Sequence, residues 1–297
     1  MPTTLQTEQA LKIDRRSNLS WKEFDNEYLK KNLPVIITDA TVPWRARDTW
    51  NLNFLKEKYG DKLVRCRGQN EDITLRDYID QVQLSTVEKP TPYLRNLNIQ
   101  TDFPELTPDI TPRVIYTSPD WMSSRLLPDG FPKKRLVNQL FISGRGTTII
   151  MHYDDWMSHN FISNVMGVKH FTIFHQSDTP YLYPRADDPL LTQIPNIYTI
   201  DHAKYPLFSK ATPIDFDLGP QESLFIPCGW WHATQTKETC ISVSSSFVAK
   251  WNWPDFRREM TKIARVKKKR PLLAAALSAY LLLVGGLLNI RYSLFKG

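Results

Sequence analysis

The sequence is short of cysteine, and the few cysteines it has are scattered. Its 297 residues contain three, Cys66, Cys228 and Cys240, and no pair has CxxC spacing. An odd, dispersed set argues against a disulfide framework and against a cysteine-rich zinc cluster, and it suits a reducing compartment. The first residues, MPTTLQTEQALKIDRR, include no apolar stretch long enough for a signal peptide. We therefore expect three free thiols packed as small buried side chains.

The C-terminal part lacks acidic residues. All 31 acids precede residue 262, the last being Glu259, whereas eight of the 38 basic residues follow it. Residues 1–261 thus carry 30 bases against 31 acids, a net charge of −1, and the last 36 residues carry +8, which together give the overall charge of +7. A main body with a net charge of −1 argues against a nucleic-acid partner, because phosphates need local positive charge.

Aromatic residues, by contrast, are abundant. Nine Trp, 14 Phe and 12 Tyr supply enough apolar surface for a large core, which excludes disorder for most of the chain. A length of 297 residues allows one large domain or two modest ones.

One long apolar run stands near the C-terminus. Residues 271–290, PLLAAALSAYLLLVGGLLNI, carry no charge, and as a helix they would span roughly 30 Å, the thickness of a bilayer's hydrocarbon core. We expect a transmembrane helix there, after a basic juxtamembrane linker at 251–270 and before a short tail at 291–297. The basic run from Arg265 to Arg270 would face anionic headgroups, and its excess of positive charge predicts a cytoplasmic main domain. Because only seven residues follow the helix, we expect a tail-anchored protein. The alternative is a buried core helix.

The first half of the chain mixes short helices and strands. Ser20 has the sequence context of a helix cap, and a short buried strand is indicated after Pro34. Apolar spacing predicts amphipathic helices over 51–59 and 74–84. We assign residues 1–130 to a helical and mixed N-terminal part.

From Leu136 onward the composition changes to short runs rich in Val, Ile, Phe and Thr. Turn residues separate these runs without intervening helical patterns, which indicates an all-β barrel or sandwich at 131–250. The predicted strands are 137–142, 147–153, 160–166, 168–174, 195–200, 212–217, 222–227, 231–236 and 239–248.

Two short segments of the β region carry residue types that bind metals. His152 and Asp154 stand two apart in MHYDD, and residues two apart on a strand project from the same face. His232, which ends IPCGWWH, supplies a third candidate ligand. Two imidazoles and one carboxylate on one face of a metal leave adjacent positions open, as in non-haem Fe(II) oxygenases. The sequence therefore predicts an iron site at these three residues.

Several motifs around these residues occur in a characteristic order. GTTIIMHYD at 146–154 is followed by NFISNVMGVKHFTIF at 160–174 and ESLFIPCGWWH at 222–232. Over about residues 30–250 the sequence resembles the JmjC (cupin-8 type) Fe(II)- and 2-oxoglutarate-dependent oxygenases. Within that branch it is similar to small protein hydroxylases such as factor inhibiting hypoxia-inducible factor.

The resemblance implies both a fold and a set of cofactors. The fold is a double-stranded β-helix of the jelly-roll or cupin type, with a helical N-terminal cover. Iron would be bound by His152, Asp154 and His232, which would also be the catalytic residues, and 2-oxoglutarate and O₂ would be the cosubstrates.

The resemblance also implies residues that bind 2-oxoglutarate. Lys169 would pair with its distal carboxylate, which charge balance supports because an inward-pointing lysine among apolar neighbours needs a counter-charge. Tyr93 would reach the same carboxylate through its hydroxyl, and Asn160 would lie beside the cosubstrate.

The sequence departs from the family pattern at three places. Ile149 stands where the family usually has a hydroxyl residue, so one hydrogen bond to 2-oxoglutarate is either missing or supplied by Thr147 or Thr148. Two extra residues are inserted around 156–159. Ser246 stands where an asparagine is common near the metal.

The function expected from these features is hydroxylation of a protein or peptide side chain at the cytosolic face of a membrane. One alternative is a tRNA-modifying or lysine-demethylating JmjC oxygenase. Another is a catalytically inactive, membrane-tethered binding protein with the JmjC fold, motivated by Ile149 and Ser246. A third treats the basic tail as an electrostatic lipid sensor.

Overall fold

The structure is a computed structural model that describes residues 12–94, 97–128, 131, 138–267 and 269–295. Its strands are β1 (Asp14–Arg16), β2 (Val35–Ile37), β3 (Leu63–Val64), β4 (Ile73–Thr74), β5 (Leu97–Asn98), β6 (Asn138–Ser143), β7 (Thr148–His152), β8 (His159–Met166), β9 (Lys169–Phe174), β10 (Ile214–Leu218), β11 (Ser223–Ile226), β12 (Trp231–Thr236) and β13 (Cys240–Phe247). Its α-helices are α1 (Trp21–Phe24), α2 (Ala46–Thr49), α3 (Leu52–Tyr59), α4 (Leu75–Gln83), α5 (Ile99–Asp102), α6 (Trp253–Lys262) and α7 (Pro271–Phe295).

Two sheets form the core of the molecule. The larger has seven strands in the order β1-β2-β11-β8-β13-β6-β5, and the smaller has four in the order β10-β9-β12-β7. Strand pairing is antiparallel in both sheets except between β1 and β2. Side chains of both sheets line one cavity between them. This confirms the expected mainly β fold, a double-stranded β-helix.

The large sheet has two different faces because side chains alternate along each strand. On β8, Asn160 and Ile162 line the cavity, whereas Phe161 lies in the largest apolar cluster. That cluster also contains the buried residues of α3 and α4, such as Leu55 and Tyr78. The N-terminal helices therefore cover the face of the large sheet that points away from the cavity.

Capping residues begin the N-terminal helices where the sequence predicts. Ser20 accepts a hydrogen bond from the Glu23 backbone N–H, and Glu23 in turn accepts from the Ser20 backbone, forming a capping box. Asn51 caps α3 and Thr74 caps α4 through the same kind of side-chain acceptor. Cys66, Cys228 and Cys240 are free and buried.

One predicted strand, 195–200, is wrong. The segment contains a 3₁₀-helix, Ile197–Thr199, because the Asn196 side chain accepts from the Tyr198 backbone N–H and so favours a turn. The other predicted strands correspond to β6–β13. Some predicted positions lie outside the described residues: residue 137 of the strand predicted at 137–142, the domain boundary at residue 130, and residues 296–297 of the predicted tail.

The segment predicted as a linker, 251–270, is mostly helical. It contains α6 and a π-helical continuation, Ile263–Lys267, and α6 packs along α7. The segment forms a helix because its apolar residues Trp253, Phe256 and Met260 lie on one face, which is buried.

The apolar run forms α7, which extends beyond the predicted end at residue 290 to Phe295. One face of α7 joins an apolar cluster that we call the C-terminal cluster. Its buried members are Trp121, Met122, Leu127, Val248, Trp253, Phe256, Met260, Leu281, Val284, Leu288 and Tyr292. A Cβ at Gly285 would lie 2.3 Å from Trp253 Nε1, so the close approach of the two helices requires glycine there.

The opposite face of α7 is apolar and exposed. Leu272 is 86% exposed, Leu283 69% and Ile290 62%. Pro271–Tyr292 is long and apolar enough to cross a membrane by length and composition, and 28% of its most apolar stretch is buried.

His170 provides a pH-dependent contact between β9 and β10. Its Nδ1 lies 2.8 Å from Asp217 Oδ1 and its Nε2 lies 3.3 Å from Asp215 Oδ1. Hydrogen bonding to Asp215, above all, raises the pKa of His170. A raised pKa means that the stabilisation is complete below the unfolded-state pKa and is lost as the pH rises through the folded-state pKa.

We expect His170→Gln to lower the free energy of unfolding by about 1 kcal/mol more at pH 5.5 than at pH 8.5. Urea denaturation at the two pH values measures this difference. His202→Gln is the control, since His202 is exposed. An equal loss at both pH values for His170→Gln would contradict the assignment.

Candidate active site

The cavity between the two sheets has a volume of about 400 Å³. The small sheet contributes His152, Lys169 and His232, and the large sheet contributes Asn160 and Ser244. The cavity thus brings titratable side chains from distant parts of the sequence to one place.

The three predicted metal ligands lie together. His152 ends β7, and His232 stands directly opposite it on β12, so their ring centroids are 4.3 Å apart. Asp154 follows the end of β7, just before a 3₁₀ turn, rather than on the strand itself. One ligand atom from each of the three residues falls within 4.8 Å of the others. This distance suits three donors on one face of a metal ion.

Both histidines present the same nitrogen to the cavity. His152 Nδ1 lies 2.8 Å from the Ile150 carbonyl, and His232 Nδ1 lies 3.2 Å from the Trp230 carbonyl. A carbonyl oxygen can only accept, so Nδ1 carries the proton in each ring and Nε2 keeps its lone pair. Burial, and then the neighbouring His232, lowers the pKa of His152 to about 4. The neutral imidazole that a metal requires is therefore favoured.

Asn160 fixes the carboxylate of the site. Its Nδ2 donates to Asp154 Oδ2 at 3.3 Å, and its Oδ1 accepts from Ser244 Oγ at 2.8 Å. The structure thus places Asn160 in contact with a candidate metal ligand. Such supporting hydrogen bonds orient metal-binding carboxylates.

Lys169 places a buried cation in the cavity. It is 3% exposed, and burial lowers the pKa of its ammonium group. Its Nζ donates to Ser242 Oγ at 3.3 Å, and Ser242 donates onward to Asn164 Oδ1 at 2.8 Å. Among the described residues no carboxylate pairs with Lys169. A buried ammonium group at a cavity wall fits an anionic ligand.

Tyr93 also lines the cavity. Its ring stacks on Phe141 with centroids 5.7 Å apart, and the guanidinium of Arg67 lies 5.6 Å from the ring centroid. Burial raises the pKa of the Tyr93 phenol well above its usual value, so the hydroxyl stays neutral and can donate a hydrogen bond.

Thr148 is not brought into the cavity, and its neighbour Ile149 lines the wall instead. Adjacent residues of a strand face opposite sides, which separates the two side chains. Thr147 is buried elsewhere and donates to the Thr91 carbonyl at 3.0 Å. The hydroxyl at this wall belongs to Thr234, which stands opposite Ile149 on β12.

Sequence reasoning missed several polar residues of the cavity, among them Arg67, Thr234 and Ser244. Thr234 had a usable signal, because it stands two positions after His232 on a predicted strand and so shares its face. Arg67 and Ser244 stand in segments without a metal-ligand motif, and only the folded sheets bring them here. Ser246, the third departure from the family pattern, also lines the cavity.

Comparison with known proteins agrees with this geometry. The profile of the cupin-like domain family (cupin-8) matches residues 21–252. The chain belongs to this family. The JmjC-type oxygenases of the cupin-8 family use Fe(II), 2-oxoglutarate and O₂, and the His-Asp-His donor set of this chain suits Fe(II).

The cupin-8 chain is similar to several demethylases and hydroxylases. It is 25% identical over 280 residues to arginine-specific demethylase JMJ20 of Arabidopsis thaliana, covering 80% of this chain and 59% of that protein. It is 29% identical over 237 residues to lysine-specific demethylase 8 of Danio rerio, covering 76% and 55%. It is 25% identical over 278 residues to the bifunctional arginine demethylase and lysyl-hydroxylase psr-1 of Caenorhabditis elegans, covering 86% and 66%.

The chain spans about half to two thirds of the length of these relatives. The expected membership of the JmjC-type branch is confirmed, together with its cofactors.

We expect Asn160→Ala to weaken Fe(II) binding about tenfold, because Asp154 loses the hydrogen bond that orients it. Anaerobic calorimetric titration measures the affinity, with Mn(II) as a second probe. Asn138→Ala is the matched control: Asn138 is also buried and accepts from Ser245 Oγ at 2.7 Å. Equal metal affinities for the two variants would contradict the role given to Asn160.

Proposed function

We propose that this protein is an Fe(II)- and 2-oxoglutarate-dependent dioxygenase that hydroxylates a protein side chain at the cytosolic face of a membrane. One observation carries the proposal: the ligand atoms of His152, Asp154 and His232 converge within 4.8 Å in the cavity that also holds the Lys169 ammonium group. Iron held there, with 2-oxoglutarate and O₂, supplies the oxidation of a C–H bond, while 2-oxoglutarate becomes succinate and CO₂.

The cavity residues have distinct roles in this proposal. Lys169 and Tyr93 bind the distal carboxylate of 2-oxoglutarate, one by charge and one by a neutral hydroxyl. Ser242 holds the ammonium group in place through its hydrogen bond. Thr234 supplies the hydroxyl that Ile149 cannot, because both lie on the same cavity wall. Thr234 therefore takes the role that we expected for Thr148.

Demethylation is the second candidate function, and the cavity wall offers an observation in its favour. Asp155 and Trp156 both line the cavity, and an acid beside an indole suits a cationic side chain. Oxidation of an N-methyl group would use the same C–H chemistry, followed by release of the carbon as formaldehyde. Formaldehyde and succinate assays with methylated and unmethylated peptides distinguish the two outcomes.

The membrane location rests on α7 and its basic flank. An excess of basic residues before α7 favours a cytoplasmic catalytic domain. The length of α7 allows a single-pass tail anchor or a helix that lies in the plane of the membrane. Trp156 packs against the C-terminal cluster and also lines the cavity, so the cavity wall adjoins the cluster that includes the buried face of α7.

The enzyme reaction can be tested without a known substrate. Full-length protein in detergent, given Fe(II), ascorbate and 2-oxoglutarate, should form succinate by uncoupled turnover. We expect His232→Ala to reduce succinate to background, since the variant removes a metal ligand, and Lys169→Met to raise the half-saturating 2-oxoglutarate concentration about tenfold. His202→Ala, which alters an exposed histidine, should behave as wild type.

Two results would count against the reaction. Succinate formation by His232→Ala at the wild-type rate would show that the triad does not perform the chemistry. No succinate from wild type, with or without candidate peptides, would favour the inactive binding protein.

A further inference from the structure

A second cavity, of about 250 Å³, lies between α6 and α7. We call it the basic cavity, because four cationic side chains and two hydroxyls line it. These residues are Arg257, Arg258, Lys262, Arg265, Thr261 and Ser278, with Val266 beside them. Its lining residues include no acidic side chain, unlike those of the active-site cavity.

Two of the four cations have acidic partners on the same helix. Arg258 pairs with Asp255, and the Lys262 ammonium lies 3.8 Å from a Glu259 oxygen. Both are i,i+3 pairs with exposed basic partners, and such pairs are weak in water. The acids therefore offset half of the positive charge without filling the cavity.

Arg257 and Arg265 are the other two cations. In the part of the chain that the structure describes, neither forms an ion pair. Arg257 Nη1 donates to Ser278 Oγ at 2.9 Å, and Ser278 is one of three polar residues in the apolar run 271–290. A guanidinium has five N–H donors, so this bond orients Arg257 and leaves donors for an anion.

The basic cavity adjoins a large exposed apolar surface. The outward face of α7 includes Leu272, Leu282, Leu283, Leu287 and Ile290, each more than half exposed. Basic side chains beside such a face are typical of helices that lie at a membrane surface and bind anionic lipids. A nucleic acid could pair with the cations, but its phosphates would leave the apolar face of α7 in water.

The buried face of α7 is held to the domain by polar contacts. Trp253 Nε1 donates to the Leu281 carbonyl at 3.0 Å, and Tyr292 Oη donates to Asp25 Oδ1 at 2.5 Å. Asp25 is fully buried and also accepts from Trp251 Nε1 at 2.8 Å. A helix that crossed the bilayer would have to give up these contacts and the C-terminal cluster. A helix lying in the membrane plane keeps them.

We propose that the basic cavity binds the phosphate of an anionic lipid headgroup, while the exposed face of α7 enters the same leaflet and α7 lies in the membrane plane. This proposal rests on the membrane location given above and names the lipid chemistry that secures it. Ser278 sets the orientation of Arg257, and the headgroup phosphate takes its remaining donors together with those of Arg265.

The test compares two variants that remove the same charge. Full-length protein is floated with vesicles of phosphatidylcholine alone or of equimolar phosphatidylcholine and phosphatidylserine. Arg257→Gln with Arg265→Gln alters the basic cavity, whereas Lys269→Gln with Arg270→Gln removes two exposed cations that do not line it. We expect wild type to prefer the anionic vesicles, and the cavity variant to bind them about tenfold more weakly than the matched variant, equivalent to one charge-assisted hydrogen bond.

Several results would overturn the proposal. Equal losses for the two variants would mean diffuse attraction to charge without a site. Saturable binding of inorganic phosphate or of an RNA oligonucleotide, without a preference for anionic vesicles, would assign the cavity to another anion. If the protein forms a dimer that covers α7 and does not bind vesicles, the apolar face is an interface with a second copy of the chain.

The position of α7 has its own readout. An epitope appended after Gly297 should be removed by protease added outside the vesicles, and protection of the epitope would show that α7 crosses the bilayer. Succinate formation by the cavity variant in detergent should equal that of wild type. A failure of lipid binding is thereby distinguished from a failure of the oxygenase assignment.

Discussion

The antiparallel register between β7 and β12 is the constraint on which the active site depends. It places His232 directly opposite His152, so that both imidazoles enter the cavity from one sheet. A slip of one residue on either strand would turn its histidine to the other face. β12 lies between β7 and β9, and both neighbours fix its register. Lys169 on β9 is therefore positioned by the same ladder that sets the metal ligands.

Electrostatics divides the cavity into two parts. Burial keeps His152 neutral, which suits a metal ligand, and the carboxylate of Asp154 is held by a neutral amide. The buried cation, Lys169, is held by Ser242 rather than by an acid. A 2-oxo dicarboxylate suits both parts, because one end could bind the metal while the carboxylate at the other end pairs with the ammonium group.

Much of this could be predicted from sequence, because strand periodicity and capping are local. The alternation of side chains predicted His152 in the site, and the family resemblance implied Lys169. Apolar spacing predicted α3 and α4, and the context of Ser20 marked a helix cap. What could not be predicted depends on contacts between distant segments. The hydrogen bond from Ser244 to Asn160 joins residues 84 positions apart in the sequence, and no local motif around either residue predicts it. The helix α6 within the predicted linker was missed for a similar reason, since it is stabilised by packing on α7.

Optical spectroscopy tests most directly whether iron and 2-oxoglutarate bind together at His152, Asp154 and His232. Addition of 2-oxoglutarate to Fe(II)-loaded protein without oxygen should produce a visible charge-transfer absorption, because a 2-oxo acid that chelates iron accepts charge from it. The band should be absent in Asp154→Ala and present, at a higher 2-oxoglutarate concentration, in Lys169→Met. An identical band in wild type and Asp154→Ala, or none in a wild-type protein shown to bind Fe(II), would contradict the account.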